Sequence, residues 1–242
     1  MRHPVLAAFL IVLALLPISA IADDWLVTKL RGPVDAHLSG AWTPVERGDV
    51  LPDGTEIRTR AGGRIALTRG RETVELLPNS LAIIRDRDGQ RFTIVEQYYG
   101  AVEVEAEVRN VRHFAVRTPF LAAVVKGTHF TVRVSRTGSK VEVDRGQVAV
   151  SSKSGLSALV TKGQSARVDG DGDLTVAGAG DLPAVLDRNG KAVGFSSGAN
   201  AHGQATAAAA KAANEAKSNA GGNGNGHANG NNGNNGNGNS GH

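Results

Sequence analysis

Thr118-Pro119-Phe120-Leu121-Ala122-Ala123-Val124-Val125-Lys126-Gly127-Thr128-His129-Phe130-Thr131-Val132-Arg133-Val134 decides the fold. Up to Val125 it reads as a buried strand, Lys126-Gly127-Thr128 turns a corner, and a second strand follows. In that second strand Phe130, Val132 and Val134 point one way and Thr131 and Arg133 the other. The same two-residue period is strictest just upstream. There Val102, Val104, Ala106 and Val108 alternate with Glu103, Glu105 and Glu107, a pattern that a half-buried strand sorts onto two faces and a helix cannot. Shorter versions recur at Ile65 and Leu67, Val74 and Leu76, Val141 and Val143, and Val148 and Val150. Turn residues such as Gly62-Gly63, Asp88-Gly89, Thr137-Gly138-Ser139 and Asp171-Gly172 punctuate them. No helix-period segment intervenes, which argues against parallel βαβ folds. The expected class is all-β, a stack of short strands that is solenoid-like or, alternatively, a jelly-roll-like sandwich.

Composition divides the 242 residues into four stretches. Residues 1–22 carry Arg2, an apolar run over 5–16 and the small residues Ala20-Ile21-Ala22, the pattern of a cleaved signal peptide. The run is too short for a hydrocarbon core that needs about 20 apolar residues. The expected β body covers 23–186. Residues 187–220 read as a linker with an alanine-rich stretch that can form a short solvated helix. Residues 221–242 are mostly Gly and Asn, unable to bury apolar surface, and are expected to be a disordered C-terminal tail. Localisation is therefore expected to be periplasmic or secreted, with no membrane span in the mature chain. With no cysteine, the body has no disulfides and must be held by its core. Lys and Arg number 27 against 23 Asp and Glu. The two signs alternate along strands, so nucleic acid is not an expected partner.

A valine run, a basic residue, Gly127-Thr128, one variable residue and Phe130-x-Val132, all after Thr118-Pro119, resemble the signature of the FecR domain. That domain is the periplasmic module of iron-dicitrate sensor regulators. The flanks extend the resemblance over residues 25–176 in the family's order: Gly48-Asp49, Thr59, Pro78-x-Ser80, and the closing turns at Gly146 and Gly163. Lys126 stands where the family often has arginine, and Phe120-Leu121 where it often has small residues. The resemblance implies an exported, non-enzymatic module that senses or binds, with no cofactor. Members that regulate sigma factors carry a cytoplasmic segment and a transmembrane helix ahead of this domain. The sequence before Trp25 shows neither, so the expectation is a detached sensor working with a membrane partner.

Candidate chemistry is sparse. Glu103, Glu105 and Glu107 would lie about 7 Å apart along one strand face, open to a cation or basic partner, or simply solvated and paired across strands. Tyr98 and Tyr99 precede Gly100; neighbouring strand residues face opposite ways, so one ring at least is expected at the surface. These five residues form the candidate partner surface, for an envelope protein, a small ligand or a glycan. Trp25 and Trp42 are expected in packing or rim roles. His37, His113 and His129 share no metal-ligand spacing and read as surface or turn residues, and no metal is expected. Asp169, Asp171 and Asp173 open like a calcium loop, but Leu174 and Gly180 occupy the positions where that loop needs Gly and Glu, so a hairpin turn is expected. No nucleophile elbow, phosphate loop or HExxH helix is present. The expected function is envelope sensing or signalling by binding. The alternatives are a structural or adhesive protein using the Gly/Asn tail, and a glycan-binding or glycan-cleaving β protein. Oligomeric state is not legible in the sequence.

Overall fold

Alternating side chains leave each strand one apolar face, and the computed structural model buries those faces against one another. Residues 24–87 and 90–194 are described. The leader-like segment, the alanine-rich stretch and the Gly/Asn tail lie outside the described residues. In chain order the strands are β1 Trp25–Arg31, β2 Val34–Leu38, β3 Ala41–Pro44, β4 Val50–Leu51, β5 Glu56–Thr59, β6 Arg64–Arg69, β7 Glu72–Leu76, β8 Ser80–Arg87 and β9 Gln90–Glu105. They continue with β10 Phe114–Arg117, β11 Leu121–Val125, β12 His129–Val134, β13 Gly138–Arg145 and β14 Gln147–Ser152. The last five are β15 Ser157–Thr161, β16 Gln164–Asp169, β17 Leu174–Gly178, β18 Val185–Leu186 and β19 Ala192–Gly194. No helix occurs among the described residues, and the all-β expectation holds.

Two layers emerge from the pairings. The first runs β4, β1, β6, β7, the second half of β9, β12, β13, β16, β17. The second runs β3, β2, β5, β8, the first half of β9, β10, β11, β14, β15, β18, β19. Every pairing is antiparallel except β9 with β10. After β9 the chain lays one hairpin in the second layer, the next in the first, and so on. One continuous core gathers inward residues of both layers, including Leu67, Val104, Phe130 and Val141 from the first and Ile84, Phe114, Val125 and Val148 from the second. The strands continue through β19, past the Leu186 end read from composition.

Strand β9 belongs to both layers, and its crossing point explains several signature residues. Gly100 sits at φ +84°, and a Cβ there would lie 2.3 Å from the Asn79 carbonyl oxygen, so only glycine fits. Beside it the Ser80 hydroxyl donates to the Ala101 carbonyl (3.0 Å) and accepts from the Ala101 N–H (2.9 Å). Thr59 completes the knot: its hydroxyl donates to the Leu77 carbonyl (2.6 Å) and accepts from the Ser80 N–H (2.9 Å). Pro78 is exposed at the turn these bonds close. At the β4 edge of the first layer, the Gly48 N–H donates to the Val27 carbonyl (2.9 Å), and Asp49 closes its own turn by accepting from the Glu46 N–H (2.8 Å).

The alternation misleads past the end of β9. Val102, Val104 and Ala106 are buried, but Val108 is 77% exposed, because the strand ends at Glu105 and the chain leaves the sheet. The Ala106 and Arg109 amides donate to the Thr128 and Lys126 carbonyls (3.0 and 2.7 Å), holding residues 106–113 as a loop along the β11–β12 corner. The acidic triple Asp169, Asp171, Asp173 spans the β16–β17 turn. There the Asp169 carboxylate accepts from the Asp171 and Asp173 amides (3.1 and 3.0 Å).

On the outer side of β2, Asp35 takes Arg58 at 3.0 Å and Arg60 at 2.8 Å. Arg58 in turn lies 4.2 Å over the Trp42 ring, with His37 against the ring's edge. The hydrogen bond from Arg58 holds the Asp35 carboxyl below its ordinary range, outweighing the opposing effect of burial, with Arg60 adding to it. A carboxyl lowered on folding stabilises the fold above its unfolded pKa, and that contribution is lost as the pH falls through the folded value. Denaturation of the wild type is therefore expected to grow easier below about pH 4. Asp35→Asn is expected to show a smaller loss between neutral and acid pH in parallel urea titrations. An unchanged acid dependence in the variant would count against the assignment.

Candidate functional site

The outward face of the first layer is a ladder of paired charges. Glu103 meets His129 at 2.8 Å, Glu105 meets Arg145 at 3.1 Å, and Glu107, in the loop after β9, meets Arg109 at 2.8 Å. Across the neighbouring strands Glu142 accepts from Lys140 and Arg133, which hold its carboxyl below the usual range. Glu105 and Glu107 thus face arginines of this chain, and Glu103 faces the His129 ring. Among the described residues no group of three or more His, Cys, Asp or Glu side chains is placed to hold a metal ion.

Tyr98 and Tyr99 are both at the surface, 45% and 43% exposed. Simple alternation would bury one. A bulge between the Leu81–Tyr99 and Ala82–Gln97 pairs inserts Tyr98 as an extra residue, so Gln97 turns inward while both rings stay out. The Gln97 amide is fixed by donating to the Gly100 and Val132 carbonyls (2.9 and 3.1 Å). Tyr98 then lines a pocket of about 240 Å³ with Glu96, Gln97, Arg117, Thr118 and Pro119. The Thr118 hydroxyl oxygen accepts from the Phe120 and Leu121 amides (3.1 and 3.0 Å) and from the Ser139 hydroxyl (2.9 Å), which holds Pro119 out at the rim. The start of the signature and Tyr98, separate in sequence, form one surface.

The other end of β11 lines a second pocket, of about 400 Å³. Lys126, Gly127 and Thr128 form one wall, and Gly146 and Gln147 the facing one. The Thr128 hydroxyl donates to the Gln147 carbonyl (2.9 Å), tying the two turns together. Gly146, at φ +86°, would put a Cβ 2.7 Å from the Gly127 carbonyl oxygen, so a side chain there would push the walls apart. Gly163 lies at the β15–β16 corner, where its N–H donates to the Val143 carbonyl (2.8 Å). Phe130, next along β12, is fully buried.

Sequence reasoning missed a buried polar cluster. Glu72 is 3% exposed and receives Arg69 (3.4 Å), His113 (3.2 Å) and, more distantly, Arg109 (3.8 Å). Arg69 also pairs with Asp86 at 2.5 Å, donates to the Thr93 hydroxyl, and lies 4.6 Å over the Trp25 ring. Asp86 and Glu72 hold the Arg69 guanidinium above its ordinary pKa although burial opposes them. His113 corrects the surface expectation: it is 2% exposed, its Nδ1 against the Val111 carbonyl (3.2 Å) and its Nε2 towards Glu72. The Nε2–Glu72 approach is close enough for an ion pair but poorly aligned as a hydrogen bond, since that nitrogen has no well-directed partner. A histidine directly before the apolar Phe114-Ala115-Val116 was the available signal. His37 is exposed and His129 half-buried.

The site is thus a two-layer β body with small rim pockets and paired polar side chains on its outer face. The model of the family described as FecR protein matches residues 55–149, and the chain carries a FecR domain. The match runs from the start of β5 into β14; Gly48, Asp49 and Gly163 lie outside it. No curated protein sequence matches the chain. Two crystal structures of a candidate anti-sigma factor from Parabacteroides distasonis are similar at 19% identity, with TM-scores of 0.46 and 0.45. Each comparison covers 51% of this chain and 59% of the solved one, so the chain spans well under two thirds of that protein's length. No helix among the described residues is long and apolar enough to cross a membrane.

Proposed function

We propose that this chain is an exported regulatory module that acts by binding a protein of the cell envelope, with the surface around Tyr98, Tyr99 and Pro119 as its contact. The FecR domain over residues 55–149 carries the regulatory part of this reading. The signal-peptide pattern of residues 1–22 supports export. The half-exposed Tyr98 beside Pro119 and an outward Arg117, with the half-exposed Tyr99 next along the chain, support the choice of surface, since aromatic and arginine side chains anchor protein contacts. Glu103, Glu105 and Glu107 are a weaker choice, because a partner would have to displace His129, Arg145 and Arg109 from them. The module works without turnover of a substrate or a bound cofactor.

A photo-reactive amino acid placed at Tyr98 or Tyr99 in cells of the native host is expected to cross-link to one envelope protein, recovered with the mature protein lacking residues 1–22. The adduct is expected to disappear when Arg117 is changed to Glu. Cross-links formed only from positions in the Gly/Asn tail would overturn the reading in favour of the adhesive alternative. Retention of the uncleaved chain in the cytoplasm would overturn its export.

A further inference from the structure

The pocket at the far end of β11 has a chemistry of its own. Its floor is a row of cross-strand neighbours on the outward face of the second layer: Val124 opposite Ala149, and Ala149 opposite Leu159. The row is apolar, and Leu159 is 48% exposed although nothing polar covers it. At the rim stand two cations, Lys126 and Arg112. Both are exposed, and neither has an acidic partner among the described residues. That contrasts with the first layer, where Arg133, Lys140 and Arg145 each meet a carboxylate. No Asp or Glu lines the pocket.

The cations are held in place by the backbone. His113, adjoining Arg112, is tied on both sides, its N–H donating to the Val125 carbonyl (3.3 Å) and its carbonyl accepting from the Thr93 N–H (2.9 Å). The Lys126 carbonyl accepts from the Arg109 N–H, which draws the 106–113 loop against the corner. Arg112 and Lys126 therefore approach the same opening from two segments. Two uncompensated positive charges above an apolar floor favour a ligand with the complementary division, an anionic head on an apolar body. The volume, about 400 Å³, lies in the range of small-molecule sites and is too small for a folded element of a protein.

We propose that this pocket binds a small anionic amphiphile, a monocarboxylate carried on a hydrocarbon or aryl body, with Lys126 and Arg112 pairing with the carboxylate and Val124, Ala149 and Leu159 covering the apolar part. Gln147 and the close-packed Gly127–Gly146 walls limit the width of the opening. The proposal does not depend on the partner surface at Tyr98, which lies at the opposite end of β11, and the two fail separately.

The test uses the mature protein with decanoate as probe, read by calorimetry and by amide shift changes. Binding is expected to perturb amides of residues 124–128, 147–149 and 159. The double variant Lys126→Gln/Arg112→Gln is expected to bind about tenfold or more weakly, as loss of charge-assisted hydrogen bonds does. Leu159→Asn is expected to weaken decanoate in the same way. Both variants alter exposed side chains, so their unfolding midpoints are expected to match wild type, and the control Arg133→Gln/Lys140→Gln is expected to bind normally. Three results would each overturn the proposal: decanol binding as tightly as decanoate, which would make the cations irrelevant; sulfate or acetate competing as strongly as decanoate, which would make the floor irrelevant; or no perturbation at the pocket at saturating decanoate.

Discussion

Arg69→Ala is expected to lose about 3–5 kcal/mol of folding stability, the range found when one partner of a buried ion pair is removed. The arginine joins β6 to Glu72 of β7, Asp86 of β8 and Thr93 of β9, and covers the Trp25 ring of β1. Without it Glu72 keeps the Thr93 hydroxyl (3.3 Å), the poorly aligned His113 and the more distant Arg109, and loses its strongest cation in a site closed to water. Trp25 also loses a cation over its face, which contributes up to about 2 kcal/mol where the pair is desolvated. Arg64 provides the comparison. It pairs with Glu75 at 2.8 Å on an exposed strand face, and Arg64→Ala is expected to stay within about 1 kcal/mol of wild type. Urea unfolding followed by tryptophan fluorescence measures both; equal losses would show that the cluster is not the anchor its burial suggests.

Phe130→Ala is expected to cost a similar amount, about 3–5 kcal/mol, through an unfilled cavity. Phe130 is fully buried, opposite Val104 on one side and Val143 on the other, so it fills the middle of the first layer's inner face. Neighbouring strands are pinned by their own hydrogen bonds and cannot close over the gap. Phe130→Leu keeps much of the volume and is expected to lose distinctly less. A denaturant slope unchanged from wild type would place the loss in the native core, and a reduced slope would instead indicate altered compactness of one of the two states.

Much of the body was legible because strand alternation is a local property. Phe130, Val132 and Val134 share a face by geometry alone, whatever they pack against. The tight turns could also be read, since Gly48, Gly146 and the Asp169 turn use residues whose backbone or side-chain chemistry suits the bend. Alternation failed where the chain left the sheet. Val108 continues the pattern in sequence but lies beyond the last pairing of β9. It failed again at Tyr98, where one inserted residue reset the facing of Gln97 and the tyrosines. Nothing in the local composition marks either event, because both depend on where a partner strand begins or ends.

His113 shows the same limit for polar groups. Read by itself, an isolated histidine belongs at the surface; here the fold buries it with Nδ1 against the Val111 carbonyl and Nε2 3.2 Å from Glu72, a residue distant in sequence. Glu103 and Glu105 pair across strands with His129 and Arg145, as an exposed charged strand face does, whereas Glu107 meets Arg109 within the loop after β9, where the strand has already ended.

From its sequence the chain is already all-β, with the inward side chains of β6, β7, the second half of β9, β12, β13 and β14 assigned and several corners marked, because side-chain period and turn chemistry act over a few residues. Only the tertiary structure brings Arg112 beside Lys126, Tyr98 beside Pro119 and His113 beside Glu72. Those meetings follow from the order in which hairpins alternate between two layers, and that order is selected by burial of the whole core rather than by any single segment.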